Sequence, residues 1–205
     1  MAIKTLPAGI VINRQTFGQK RFDMTFQNGD SGSSQSRVLA PPRWVTSINC
    51  HPDLTAEESA TWRAMVLGLK GRINQLAIGD LLNPAPRGTL RGTLTLAAAA
   101  AAGVGTLTIT GGAGQAGNTL LLGDYISVGA GATVQLVTVG AAATANASGV
   151  VVVEIDQPMR FAQASAAAVT WDKPVALFRQ TGDSSGWESG IFQGNYSLDL
   201  MESWE

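Results

Sequence analysis

The sequence predicts a mainly β protein with one α-helix, in which a β domain built from both ends of the chain is interrupted by a small all-β module. Three observations predict it. A single stretch, Leu54 to Leu82, carries an apolar stripe at helical spacing; short β-branched runs bounded by turn residues fill most of the rest; and charge almost vanishes in the middle of the chain. Of 14 basic and 15 acidic side chains, only Asp124, Glu154, Asp156 and Arg160 fall between Thr93 and Thr170. That break marks two boundaries, and 205 residues are enough for one large core or two smaller ones.

In the first block, Ala8 to Asn13, Arg21 to Gln27, Arg37 to Leu39 and Trp44 to Asn49 alternate partly between apolar and polar residues and read as short strands. The loop Asn28 to Ser36 is polar and glycine-rich, the composition of a hairpin tip that orders on meeting a partner. Pro41 and Pro42 are expected to stop pairing, because proline has no N–H to give.

The helix follows, over residues 55–70. Thr55 and Glu58 have capping-box spacing, each satisfying a backbone N–H that the first turn leaves without a partner. Trp62, Met65, Val66 and Leu69 fall at i, i+3, i+4 and i+7, with Glu57, Glu58 and Arg63 off the stripe, so one face is buried. Trp44, on a strand beside the helix, is expected in the same core. Gly71 suits the left-handed residue that closes many helices, and Lys70 is a cation for the last turn. Asn74 to Ile78 then reads as a strand, and the two prolines of Asn83 to Gly88 make a stiff linker.

Beyond the linker, Thr106 to Thr110, Asn118 to Leu122, Tyr125 to Val128, Val134 to Val139 and Val150 to Ile155 are β-branched or leucine-rich runs at short, regular spacing. The six alanines Ala97 to Ala102 fit a helical turn or a loop equally, since Gly103 and Gly105 follow at once. From Asp172 the character of the first block returns: Val175 to Gln180, Gly190 to Phe192 and Tyr196 to Met201 read as strands that complete the first sheet. The expected domains are residues 1–88 with 172–205, and an insert, 89–171, of the kind tolerated where the ends of a host loop lie together at the surface.

Composition excludes several functions. A net charge of −1 does not fit a protein whose main work is to neutralise phosphates, so nucleic acid is not expected as a direct partner. The lone Cys50 cannot form an internal disulfide, and the first residues lack the apolar core and cleavage site of a signal peptide, so synthesis in a cytoplasm is expected. The uncharged run Gly92 to Gly123 is long enough for a bilayer but is mostly Ala, Gly and Thr broken by glycine, which argues against membrane insertion.

Apparent chemical motifs weigh the same way. Gly29-Asp30-Ser31-Gly32 copies the tetrapeptide around a protease serine, but the only histidine, His51, comes after it, where a chymotrypsin-like order needs it before. Gly112 to Gly117 fits G-x-G-x-x-G, yet a strand rather than a helix follows, so a hairpin turn is expected instead of a dinucleotide cradle. Cys50 and His51 point to opposite faces of a strand and have no second ligand cluster. The glycosylation patterns at Asn146 and Asn195 mean nothing without secretion. No catalytic residue, cofactor or metal is expected.

Contacts with other subunits are the remaining chemistry. From Met1 to Phe22 the charged side chains are Lys4, Arg14, Lys20 and Arg21, with no acid; from Asp183 to Glu205 they are Asp183, Glu188, Asp199, Glu202 and Glu205, with no base. Opposite ends of this kind fit head-to-tail contact between subunits or pairing within one molecule. Trp171, at the return from the insert, is expected to pack between the two domains. Trp187 and Trp204, in polar and acidic surroundings, are candidates for burial against another subunit, together with Lys20, Arg21, Asn28, Asp30 and Arg37 around the first hairpin.

In serial order, Gln15-Thr-Phe17, Gln35-Ser-Arg37, Pro42-Arg-Trp44, the helix, Lys70-Gly-Arg72, Leu76 to Asp80, Pro86-Arg-Gly88, Gly112 to Gln115, Gly123-Asp-Tyr125, Gln157-Pro-Met-Arg160 and Glu202-Ser-Trp204 resemble the distal tail proteins of long-tailed, siphovirus-type bacteriophages. The resemblance covers nearly the whole sequence and rests on the order of the segments rather than on any one of them. It implies a split, tail-tube-like β-sandwich or barrel domain with one helix and an inserted small β-barrel. It also implies a structural role: a ring of six subunits, or three, in the virion tail tip or baseplate, joining the tail tube protein to the baseplate hub. Tape measure and receptor-binding proteins would be further neighbours. Two other classes remain to be distinguished. The insert could bind host polysaccharide through its neutral surface, or act as a glycan hydrolase, for which it offers only Asp124, Glu154 and Asp156 as carboxylates.

Overall fold

Residues 1–182, 186–189 and 194–204 are described in the computed structural model. The protein is mainly β, 44% strand, with a single helix and curled sheets. In order it forms β1 (Ile3–Thr5), β2 (Ile12–Gln27), β3 (Ser34–Cys50), α1 (Ala56–Gly68) and β4 (Gln75–Ile78). There follow β5 (Leu94–Leu96), β6 (Thr106–Thr110), β7 (Thr119–Leu120), β8 (Tyr125–Val128), β9 (Gln135–Thr138), β10 (Ala143–Thr144), β11 (Val150–Glu154) and β12 (Ala168–Thr170). The last elements are β13 (Ala176–Gln180), β14 (Glu188–Ser189), β15 (Gly194–Asn195) and β16 (Ser197–Glu202).

The first sheet has the order β1-β4-β13-β16-β3-β2, so strands from both ends of the sequence share it. Only β1 runs parallel to its neighbour. The second sheet has the order β11-β6-β5-β12-β8-β9, and a bridge between Val139 and Ile155 joins the ends of its two edge strands. The backbone leaves the first sheet after β4 and re-enters it at β13, where Lys173 N donates to Pro84 O at 2.6 Å. Gly79 sits so close to the returning strand that a Cβ there would meet Pro174 O at 1.9 Å.

The helix forms where its spacing places it. Thr55 Oγ1 accepts from Glu58 N at 3.2 Å, and Glu58 Oε2 accepts from Thr55 N at 2.8 Å, the two halves of a capping box. Trp62 is fully buried, and Met65, Val66 and Leu69 lie with it against Trp44, Ile48, Leu76, Phe178 and Leu200 of the first sheet. The C-terminal end agrees with expectation at Gly71, which is left-handed, and differs at Lys70. Lys70 and Gly71 are both left-handed, at φ 50° and 63°, and Asn74 Nδ2 donates to Gly68 O at 2.9 Å. Lys70 thus lies past the last turn, and an asparagine side chain does the closing.

Three strand assignments need correction. Arg37–Leu39 and Trp44–Asn49 are one strand, β3, which runs through Pro41 and Pro42 without stopping. The register with β2 shifts between Lys20 and Phe22 and again between Phe22 and Asp23, so β3 carries extra residues there. A bulge leaves residues out of the ladder, and that is where a strand tolerates missing N–H groups. Second, the expected strands Ala8–Asn13 and Arg21–Gln27 are one strand, β2, which starts only at Ile12 and leaves Ala8–Val11 outside it, so the strands of the first hairpin are 16 and 17 residues long. Third, β1, β5, β10 and β12 carry too few residues to show a period. The alanine run forms no helix; Ala100 instead pairs with Gln163. The expected strand Gly190–Phe192, and the charges at Asp183 and Glu205, lie outside the described residues.

Apolar burial divides into two clusters. One is lined by Leu94, Leu107, Ile109, Ile126, Val137, Val153 and others of the second sheet; Trp171 packs on it, with Nε1 donating to Gly92 O at 2.7 Å and Arg91 over the ring. The other lies under α1 and includes Leu136 and Tyr125 from the second sheet, which joins the two. Trp62→Ala should therefore cost about 3–5 kcal/mol, the range for an emptied aromatic site, measured as a lowered denaturant midpoint. Acid should test the cap. The Thr55 hydrogen bonds, backbone first, hold the Glu58 carboxyl below its usual 4.5. The linked stability is thus fully present above that value and lost as pH falls through the lower folded one. Glu58→Gln should flatten this part of the acid limb in pH-dependent unfolding.

Candidate assembly interface

Beyond Val45, β3 leaves β16 and has only β2 as a partner, so the distal half of the hairpin is a two-stranded arm. From Lys20 to Gln27 it extends roughly 25 Å at the usual strand rise. The segment Asn28 to Ser33 closes it: Asn28 N donates to Ser33 O, Gly32 N to Asn28 O, and Asp30 N to Asn28 Oδ1. Alternation places Met24 and Phe26 on one face and Val38 on the other, and all three are exposed, Phe26 at 58% and Val38 at 64%. Lys20, Arg21, Asn28, Asp30 and Arg37 all lie exposed on this arm. Lys20 Nζ stands over the Phe22 ring at 5.6 Å.

The foot of the arm is held by a group the sequence did not single out. Arg160, on the turn after β11, pairs with Glu202 of β16 at 2.8 Å, both side chains almost wholly buried. Glu202 Oε2 also accepts from Trp44 N at 2.9 Å, and Arg160 Nη2 donates to Pro42 O, the carbonyl at the bulge. Burial pushes the Arg160 guanidinium below its usual range; Glu202 pulls it back up, and Arg43 lowers it further. Two guanidinium groups lie over the Trp204 ring, Arg160 at 3.4 Å and Arg43 at 4.3 Å from its centre. Its contacts of this kind are thus within its own molecule, and Glu202 is a buried partner rather than a surface charge of the C-terminal end. Trp187 packs half-buried against the cluster under the helix, again an intramolecular contact.

The second sheet grips the same foot. Gln135 Oε1 accepts from Arg160 N at 2.8 Å, and Trp44 Nε1 donates to Leu136 O at 3.1 Å. Phe17, Trp44, Tyr125 and Phe178 make a series of tilted and edge-to-face ring contacts at 5.2–6.1 Å across the two sheets. Burial, and then Asp80, raises the Tyr125 phenol.

Asp124 has a similar fastening role. Its carboxylate accepts from Arg87 N, Gly88 N and Leu121 N at 2.7–3.0 Å, and is buried. Those oxygens are spent on the first crossing between sheets. Cys50, its thiol pushed up to about 12 by burial and then by Glu58, stays protonated at neutral pH. Among the described residues no group of three His, Cys, Asp or Glu is placed to hold a metal, and no helix is long and apolar enough to cross a membrane.

The signal that could have found Arg160 and Asp124 is scarcity: where so few charges lie between Thr93 and Thr170, each has a reason to persist. Searches against protein-family models and against curated proteins returned no match. The ion pair is testable without a partner. Arg160→Met leaves Glu202 buried and unpaired and should cost about 3–5 kcal/mol. Adding Glu202→Gln, which keeps an acceptor for Trp44 N, should recover a large part of that loss in chemical denaturation.

Proposed function

We propose that this protein is a structural virion component that assembles with copies of itself into a ring at the tail tip of a long-tailed bacteriophage, between the tail tube protein and the baseplate hub. The observation that carries the reading is the arm. An isolated two-stranded ribbon is marginal in water, and this one presents Met24, Phe26, Val38 and Leu39 to solvent. Cover from another subunit would stabilise it. A ring requires one surface of each subunit to fit a different surface of the next, and a projecting arm supplies one member of such a pair. The serial resemblance to distal tail proteins supplies the expected count, six, with three as the alternative.

On this reading the first sheet and α1 form a split, tail-tube-like sandwich or barrel, and residues 89–171 form an inserted small barrel, closed by the bridge between Val139 and Ile155. The helix covers the outer side of the first sheet, and the insert, hung from two adjacent crossings, points away from the ring. Low net charge suits a wall that DNA passes without binding.

Native mass measurement and electron microscopy of purified protein and of particles test the proposal: rings are expected in both. A strictly monomeric protein that is absent from particles overturns it. Met24→Asp with Phe26→Asp, both on one exposed face, should leave folding intact and shift rings to monomers. Rings that persist unchanged in the double variant would remove the arm from the interface.

A further inference from the structure

We infer that the arm tip is a self-modifying site: Asn28 loses its side-chain amide to attack by the Gly29 backbone nitrogen, ahead of every other asparagine in the protein. The chemistry needs three things at once. The attacking nitrogen must be able to approach Asn28 Cγ, the next residue must not obstruct with a side chain, and water must reach the product. Of eight asparagines, Asn28 alone is followed by glycine. Both residues are exposed, and a Cβ at Gly29 would meet nothing within 4 Å. Among the described residues nothing accepts a hydrogen bond from the Gly29 N–H, so that group is not tied to the ladder or to the tip turn. Asn28 Oδ1, by contrast, accepts from Asp30 N at 3.0 Å. That bond polarises the amide carbonyl toward attack and is in place to steady the oxyanion as the new bond forms.

The atoms balance without an added reagent. Solvent base removes the Gly29 N–H proton as the nitrogen bonds to Asn28 Cγ. The tetrahedral intermediate expels the amide nitrogen, which takes a proton from water and leaves as ammonia. The resulting five-membered imide is opened by one water at either carbonyl, breaking one C–N bond. One route gives an aspartyl residue in the original backbone, the other an isoaspartyl linkage with the backbone routed through the side chain. Either product places a second carboxylate beside Asp30 on an arm that carries Lys20, Arg21 and Arg37. The chemistry does not depend on the assembly reading; only its consequence for a neighbouring subunit does.

The test is peptide mass analysis of the folded protein aged at neutral and mildly alkaline pH. The Asn28 peptide should lose its amide before any of the others, with faster conversion at the higher pH, and separate into aspartyl and isoaspartyl forms. Gly29→Ala should slow the reaction severalfold. Gly29 is not left-handed and has open space at its Cβ, so this variant should fold as the parent does, checked by circular dichroism. Conversion of another asparagine first, or an unchanged rate in Gly29→Ala, overturns the inference. Neither result bears on whether rings form, so the two proposals fail separately.

Discussion

The contact between Arg160 and Glu202 is where the two sheets, the arm and the C-terminal end meet. Removing two opposite charges from water costs several kcal/mol per ion, and their attraction offsets this only when geometry and further hydrogen bonds are good. Here the further bonds exist: Glu202 accepts from Trp44 N, and Arg160 donates to Pro42 O. Both of those backbone groups belong to the stretch where β3 passes from the sheet into the arm. The pair is therefore better understood as a register pin than as a source of net stability. An apolar pair of similar volume could fill the space, but it would not select one carbonyl and one N–H on β3. Trp204 adds to the selection, because its ring meets both Arg160 and Arg43 only when the C-terminal end lies across the foot of the arm.

The bulge explains why the foot needs a pin. Two successive register shifts against β2 leave residues of β3 outside the ladder, and bulges of this kind bend a strand and increase its twist. Pro41 and Pro42 contribute no N–H, so the ladder has fewer bonds where the arm leaves. Arg160, from a distant part of the sequence, adds one there by donating to Pro42 O. Long flat edges are also hazards for uncontrolled pairing. The charges of Lys20, Arg21 and Arg37, exposed on the arm beside Met24 and Phe26, limit such pairing.

How much of this was legible follows from the range of each interaction. The helix was legible because its cap and apolar stripe are local: Thr55 and Glu58 share one turn, and Trp62 to Leu69 spans two. The sharing of one sheet by both ends was legible from composition, because charge falls and returns at the two crossings. The continuity of β3 was not, since a proline pair normally removes two ladder donors, and only the partner strand's register shows that they fall at a bulge. The grouping of Lys20, Arg21, Asn28, Asp30 and Arg37 followed from hairpin pairing alone. The two arginines at the Trp204 ring were not legible, because Arg43 and Arg160 lie in distant parts of the sequence and only folding brings them together. Arg160 and Glu202 lie far apart in the sequence and on different elements, and no periodicity encodes that pairing.

Close backbone contacts hold the two crossings between the sheets. At Gly79 and at Gly88, both on the outgoing crossing, an added Cβ would meet backbone oxygens of Pro174 and Thr119 at 1.9 and 2.2 Å, so that crossing runs against other backbone with no room for a side chain at either point. Asp124 holds Arg87 N and Gly88 N, and Lys173 N is bonded to Pro84 O. The insert is thus fixed at its linkers and, through Arg160, at the foot of the arm. A body attached at separated points loses the hinge freedom that a pair of flexible linkers would leave it. Its orientation is set within the single molecule, and the entropy of ordering that orientation is lost on folding.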